Sequence, residues 1–183
     1  YRVRHGVVLC PMSQVVATMG TKEGIAHLLL TVLAPGDTVL VLTPSYPIHA
    51  SSVALSGAGL VGLPVFASFE EGNAFNWQLD EHSQGFFSRL DESWSRAWPR
   101  PRAMLMSFPH NPTGTTVTAG FWKRLVSYAL EREILLINDF AYGDICFDSY
   151  RAPSLLAVED ASQMAIECYS LSKSFGVAGW RVG

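Results

Sequence analysis

The chain has little charge: 16% of its 183 residues are charged, with thirteen basic residues against sixteen acidic ones for a formal charge of -3. Nowhere do Lys and Arg gather into the run that a polyanion demands, which excludes a nucleic-acid partner for this segment. Cysteine is scarce as well. Cys10, Cys146 and Cys168 are odd in number and widely spaced, so neither a disulfide framework nor a zinc site is expected, and a reducing cytoplasm suits them. The five histidines form no His-Glu-x-x-His pattern, and no metal is expected. From Thr38 to Phe69 formal charge is missing altogether, yet Pro44, Pro47, Gly57, Gly59, Gly62 and Pro64 break the stretch too often for a membrane span. Two buried strands around a helix are expected there instead. Tyr1 to His5 lead into a short strand-like run and lack the long apolar core of a signal peptide. With no initiator Met, and with Gly183 immediately after a candidate functional loop, the expectation is a segment of something longer.

Hydrophobic residues make up 49% of the chain, enough for one globular domain with a real core. Val15 to Met19 is β-branched and apolar and reads as a strand. Thr21 then reads as the N-cap of a helix running through Ile25–Leu33 to the stop at Pro35-Gly36. Thr38 to Leu42 reads as a buried strand, followed by a turn at Pro44–Pro47 and a short helix. Leu60 to Val65, interrupted by Gly62 and Pro64, suits an edge strand. Asp80 to Trp98 reads as a helix with Phe86, Phe87, Leu90 and Trp94 on its buried stripe, and Trp77, Trp94 and Trp98 as core or interface. Arg102–Phe108 and Ile134–Asn138 read as strands around a helix carrying Phe121, Trp122, Leu125, Val126 and Ala129. Gly143 to Tyr150 is β-like or irregular, Arg151 to Ser154 starts a helix, and Met164 to Tyr169 is the last strand. Alternation of this kind predicts an α/β fold: a mostly parallel sheet with helices on both faces, in three layers.

The residues with chemistry sit where strands end. Lys173, after the last strand, lies in a loop of small residues with Ser170, Ser172, Ser174, Gly176 and Gly179, and Arg181 follows eight residues later. A lysine there can form a Schiff base with an aldehyde, while hydroxyls and a guanidinium suit a phosphate, and pyridoxal phosphate carries both groups. A solvated serine-rich loop accounts for the same residues. Gly20-Thr21-Lys22 opens a helix whose N–H groups could hold an anion, or could simply be capped. Tyr46 could stack on a flat ring or pack under its own turn. Pro109-His110-Asn111-Pro112-Thr113-Gly114 is a rigid turn that holds the Asn side chain at a strand end. Asp139 follows a buried strand, with Tyr142 one turn on. An acid there is costly unless paired; opposite a pyridine nitrogen it would keep that nitrogen protonated, and as a helix cap it would do neither.

In this order the set resembles the fold-type-I, class I/II aminotransferases that depend on pyridoxal phosphate. The branch containing alanine, aspartate and LL-diaminopimelate aminotransferases is nearest, through Thr21-Lys22-Glu23-Gly24, Pro44-Ser45-Tyr46-Pro47-Ile48-His49 and Ser170-Leu171-Ser172-Lys173-Ser174. The resemblance covers essentially the whole chain. It implies that Lys173 is the Schiff-base lysine and later the proton carrier, that Asp139 pairs with the pyridine nitrogen, and that Asn111 and Tyr142 bond the ring hydroxyl. It also implies that Tyr46 stacks on the ring, while Gly20, Thr21, Lys22, Ser170, Ser172 and Arg181 hold the phosphate. Catalytic roles would fall to Lys173, Asp139 and Tyr142.

The same resemblance implies amino-acid and 2-oxo-acid substrates, a homodimer and cytoplasmic localisation. It further implies that residues 1–183 are the cofactor-binding large domain, with a small domain that carries the substrate-carboxylate arginine lying outside. Within the segment only Arg2, Arg4 or Arg151 would be left for that task. Two other functions use the same residues: a carbon–sulfur β-lyase of this fold, and an aminotransferase-like ligand-sensing domain of a transcription regulator.

Overall fold

The computed structural model describes residues 1–66 and 77–183. The helices are α1 (Arg2–His5), α2 (Thr21–Val32), α3 (Pro47–Leu55), α4 (Gln84–Arg96), α5 (Ala119–Arg132), α6 (Ala161–Met164) and α7 (Leu171–Ser174). The strands are β1 (Thr38–Thr43), β2 (Gly59–Pro64), β3 (Gln78–Leu79), β4 (Pro101–Met106), β5 (Thr116–Val117), β6 (Leu135–Asp139) and β7 (Ala165–Cys168). Five of them build one sheet in the order β2-β1-β4-β6-β7, with every neighbouring pair parallel. β3 and β5 form a separate two-stranded ribbon.

Alternation along the strands divides the core between two faces, because successive side chains point to opposite sides of a sheet. Leu40 and Leu42 of β1, Met104 and Met106 of β4 and Leu136 of β6 share a cluster with Phe86 and Leu90 of α4 and Phe121, Trp122 and Leu125 of α5. Val39, Val41, Ala103, Leu105 and Ile137 face the other way, against Ile25 and Leu29 of α2 and Val53 of α3. Helices therefore cover both faces, as a parallel sheet requires. The α5 helix starts where Thr118 Oγ1 accepts from Phe121 N at 3.1 Å and ends at Glu133 in the left-handed region, a pair of local stop signals.

Several expectations need correction. Val15 to Met19 is not a strand: Val15, Val16 and Met19 are exposed, and Thr18 alone exchanges reciprocal backbone hydrogen bonds, with Gly183 at 2.9 and 3.1 Å. β-branched sequence makes a strand only beside a partner. The run after His5 is likewise irregular, and of the two alternatives for Gly143 to Tyr150 the irregular one holds, with turns and no strand. Gly20, not Thr21, is the N-cap of α2. The fourth helix begins at Gln84, after the β3 pairing has taken Gln78 and Leu79. Arg151 to Ser154 leads into a 3-10 turn at Leu155–Ala157. The Lys173 loop contains the short helix α7. Trp98 is 86% exposed and outside the core, whereas Trp94 packs against it and carries the Arg100 guanidinium 4.6 Å from its ring centroid. Among the described residues no helix is long and apolar enough to cross a membrane.

Candidate active site

Four neighbouring strands, β1, β4, β6 and β7, run in the same direction and deliver Tyr46, Asn111 and the Ser170–Lys173 segment past their carboxyl ends, with Asp139 as the last residue of β6. Loops at that edge of an open parallel sheet form its crevice.

Gly20, Thr21, Ser170 and Arg181 converge on the N-terminus of α2. No side chain caps this helix, so its first-turn N–H groups stay available to an anion. Gly20 has φ 80, a conformation that favours glycine, and its missing side chain leaves room for the Arg181 guanidinium to lie against it. Thr21 Oγ1 donates to the Tyr169 carbonyl at 3.3 Å, tying α2 to the end of β7. Buried Ser170 accepts from Ser172 N at 3.2 Å. Hydroxyls, a guanidinium and helix N–H groups in one place make a donor set for a phosphate. Lys22 and Lys173 are exposed beside it, and Ser172 contributes its backbone N–H.

A second group surrounds Asp139, which is 7% exposed. Its Oδ2 lies 3.2 Å from His49 Nε2, and its Oδ1 accepts from Ala141 N at 3.3 Å. His49 in turn meets the Tyr46 ring edge-on at 5.8 Å. Asp139 pairs in register with Cys168 of β7, whose thiol burial, together with Asp139 and Glu167, pushes up to about 12; it stays neutral. Asn111 and Tyr142 meet differently, as walls of one open cleft of about 680 Å³ shared with Trp77, Ile145, Cys146 and Phe147.

Residues 2–183 match the family described as aminotransferase class I and II. This chain belongs to that family. It is 37% identical, over its full length, to the glutamate-pyruvate aminotransferase AlaC of Escherichia coli (strain K12), covering 41% of that protein. It is 39% identical, again over its full length, to the LL-diaminopimelate aminotransferase of Desulforudis audaxviator (strain MP104C), covering 43% of it. Among solved structures it superposes on N-succinyldiaminopimelate aminotransferase from Mycobacterium tuberculosis with a TM-score of 0.85 at 28% identity, covering all of this chain and 44% of that one. The chain thus spans about two-fifths of the length of the curated relatives it matches.

In this class I and II aminotransferase chain, sequence reasoning missed two buried histidines: His49 on the Asp139 carboxylate and His110 near His49. His49 stands three residues after Tyr46, one helical turn away and on the same face, and that spacing was the available signal. His110 is 4% exposed; its Nδ1 lies 2.8 Å from Thr113 Oγ1. Burial, then the neighbouring His49, lowers its pKa from 6.5 to about 4, against an opposing contact with Pro44. Since the folded value lies below the unfolded one, the neutral ring stabilises the fold fully above about pH 6.5. That contribution, roughly 3 kcal/mol, is lost as pH falls toward 4. Urea midpoints of the full-length protein between pH 7 and 4 should therefore fall, and His110→Gln should remove much of the slope. Parallel curves for wild type and variant would contradict the buried neutral ring.

Glu167 on β7 was also missed, although a lone acid in a β-run was a visible signal. It accepts from Tyr1 Oη at 3.0 Å, Asn138 Nδ2 at 3.1 Å, Ser154 Oγ at 2.6 Å and Leu155 N at 2.8 Å. Burial nonetheless raises its pKa above the usual range. Asn138 also accepts from Phe108 N at 3.0 Å. One side chain thereby joins the ends of β4, β6 and β7 just below Asn111, Asp139 and Ser170.

Proposed function

We propose that the full-length protein is an amino-acid aminotransferase dependent on pyridoxal 5'-phosphate, and that residues 1–183 form its cofactor-binding large domain. The observation that carries the reading is the uncapped α2 terminus with Arg181 seated against Gly20. It lies at the same sheet edge as the carboxylate of Asp139 and the amine of Lys173. An anion cradle, a buried acid and a free amine match the three groups of this cofactor: phosphate, ring nitrogen and aldehyde.

Gly20, Thr21, Lys22, Ser170, Ser172 and Arg181 bind the phosphate. Asp139 holds a proton on the ring nitrogen, and His49 fixes its carboxylate by the 3.2 Å contact. Asn111 and Tyr142 orient the ring hydroxyl, while Tyr46 covers the ring face and excludes water. When bound, the cofactor supplies an aldehyde that condenses with amines and a ring that accepts the electron pair left by a departing Cα proton. Lys173 would be the base that accepts that proton on Nζ.

The substrate class is an amino acid with a 2-oxo acid. Relatives at 37% and 39% identity carry different substrate names, so similarity alone selects no single donor. A homodimer is the proposed assembly, and a reducing cytoplasm, compatible with three unpaired cysteines, the proposed location. The test is to load the full-length protein with pyridoxal phosphate and screen amino donors against 2-oxo acids. Stoichiometric exchange of an amino group for a keto group supports the reading. Release of ammonia, pyruvate and a thiol would replace it with a carbon–sulfur β-lyase, and tight amino-acid binding without turnover would replace it with a ligand sensor.

A further inference from the structure

The Lys173 helix is tied to the rest of the site by a cluster that none of the roles above uses. Asp144 lies on the turn that carries Tyr142, where Gly143 N donates to the Phe140 carbonyl and Ile145 N to that of Tyr142. Its Oδ2 accepts from the Tyr169 hydroxyl and pairs with Arg4 Nη1 at 2.5 Å. Arg4 Nη1 also donates to Tyr169 Oη at 3.3 Å, and its guanidinium sits 5.5 Å from the centroid of the Phe175 ring. Phe175 is the C-cap of α7, two residues beyond Lys173, and Tyr169 immediately precedes Ser170. Three segments far apart in sequence thus meet on one carboxylate oxygen, namely α1, the turn after β6 and the entry to α7, while the exit of α7 is reached through Arg4 and Phe175.

The geometry has a mechanical consequence. α7 is a single turn of four residues, too short to hold its own conformation in water. Its entry is held by Thr21 on the Tyr169 carbonyl and its exit by the contact between Arg4 and Phe175. Asp144 joins the two. Burial acts to raise the Asp144 carboxyl, but the Tyr169 and Ser174 hydroxyls and Arg4 outweigh it and hold it below the usual carboxylate range. The carboxylate is therefore ionised at neutral pH, as an acceptor for both Tyr169 and Arg4 must be. Arg4, engaged in this way, is also a poor candidate for the substrate-carboxylate arginine.

We propose that Arg4, Asp144 and Tyr169 form a clamp that positions Lys173, with Asp144 as the central positioning residue. The proposal rests on the functional reading of Lys173 given above. The clamp acts through the side chains of Arg4, Asp144 and Tyr169, whereas the cradle meets Tyr169 only at its backbone carbonyl, through Thr21; removing the side-chain contacts should therefore act mainly on the covalent share of cofactor binding.

The experiment measures the pyridoxal phosphate dissociation constant of the full-length protein, by the change in absorbance on Schiff-base formation or by protein fluorescence, in two backgrounds. In the wild-type background Asp144→Asn and Tyr169→Phe should each weaken binding by about tenfold, and the pair together by little more than either alone. Arg4→Lys should retain most of the affinity. In the Lys173→Ala background, where only noncovalent binding remains, the same substitutions should change the constant by less than twofold. Such a cycle isolates coupling to Lys173. Equal losses in both backgrounds would overturn the clamp, since the cluster would then support the fold or the phosphate site, and so would no loss in either. Should Asp144→Asn fail to fold, Tyr169→Phe, which removes one hydroxyl, carries the test. A wild-type protein that forms no adduct on Lys173 would instead overturn the functional reading, and the clamp with it.

Discussion

Borohydride reduction of the cofactor-loaded full-length protein should fix pyridoxal phosphate to Lys173 and, within this segment, to neither Lys22 nor Lys123. Lys123 projects from the exposed face of α5, a helix packed on the sheet face remote from α2. Lys22 is the second residue of α2, where the proposed phosphate cradle would use its ammonium as a counter-charge. Only Lys173 follows the strand that neighbours Asp139. Lys173→Ala should keep noncovalent cofactor binding, because the Gly20, Thr21, Ser170 and Arg181 cradle is untouched. It should lose turnover by at least ~10²–10⁴-fold, the usual worth of a positioned proton carrier. Peptide mapping with the adduct on Lys22 or Lys123 would sink the assignment, as would near-normal turnover by the alanine variant.

Asp139→Ala should lower turnover on the order of 10²–10³-fold, the scale for removing one preorganised charge from a reacting centre. The structure adds a second cost. His49 is 1% exposed, and without the carboxylate its Nε2 is left buried and unpaired, worth about 1–3 kcal/mol of stability. Asp139→Asn separates the two effects. The amide preserves a hydrogen-bonding oxygen for His49 and so most of the stability, but it carries no charge to hold a proton on the ring nitrogen, and turnover should fall nearly as far as in the alanine variant. Thermal melts and single-turnover rates of both variants decide the matter. If Asn restores activity as well as stability, Asp139 acts as a structural partner of His49 and its electrostatic role is wrong.

Local patterns in the sequence determined the element types. Thr38–Leu42 and Ile134–Asn138 are largely apolar runs of strand length, Ala119–Arg132 repeats its apolar residues at helical spacing, and Pro-Gly and Asn-Pro-Thr-Gly mark where chains must turn. These signals reach only a few residues along the chain, and so do Lys173 with its flanking serines and Asp139 at a strand end. They sufficed for a parallel α/β fold and for the residue types the chemistry needs. Adjacency was decided by tertiary structure alone. His49 meets Asp139 across 90 residues, because β1 and β6 both flank β4 in the sheet. Tyr1 meets Glu167 across 166 and Arg4 meets Asp144 across 140, where the N-terminal segment docks against β7 and the turn after β6. No periodicity encodes which strands become neighbours. Val15 to Met19 makes the same point from the other side: its composition is that of a strand, but a strand exists only through hydrogen bonds to a neighbour, and apart from the Thr18 pairing with Gly183 none is present among the described residues.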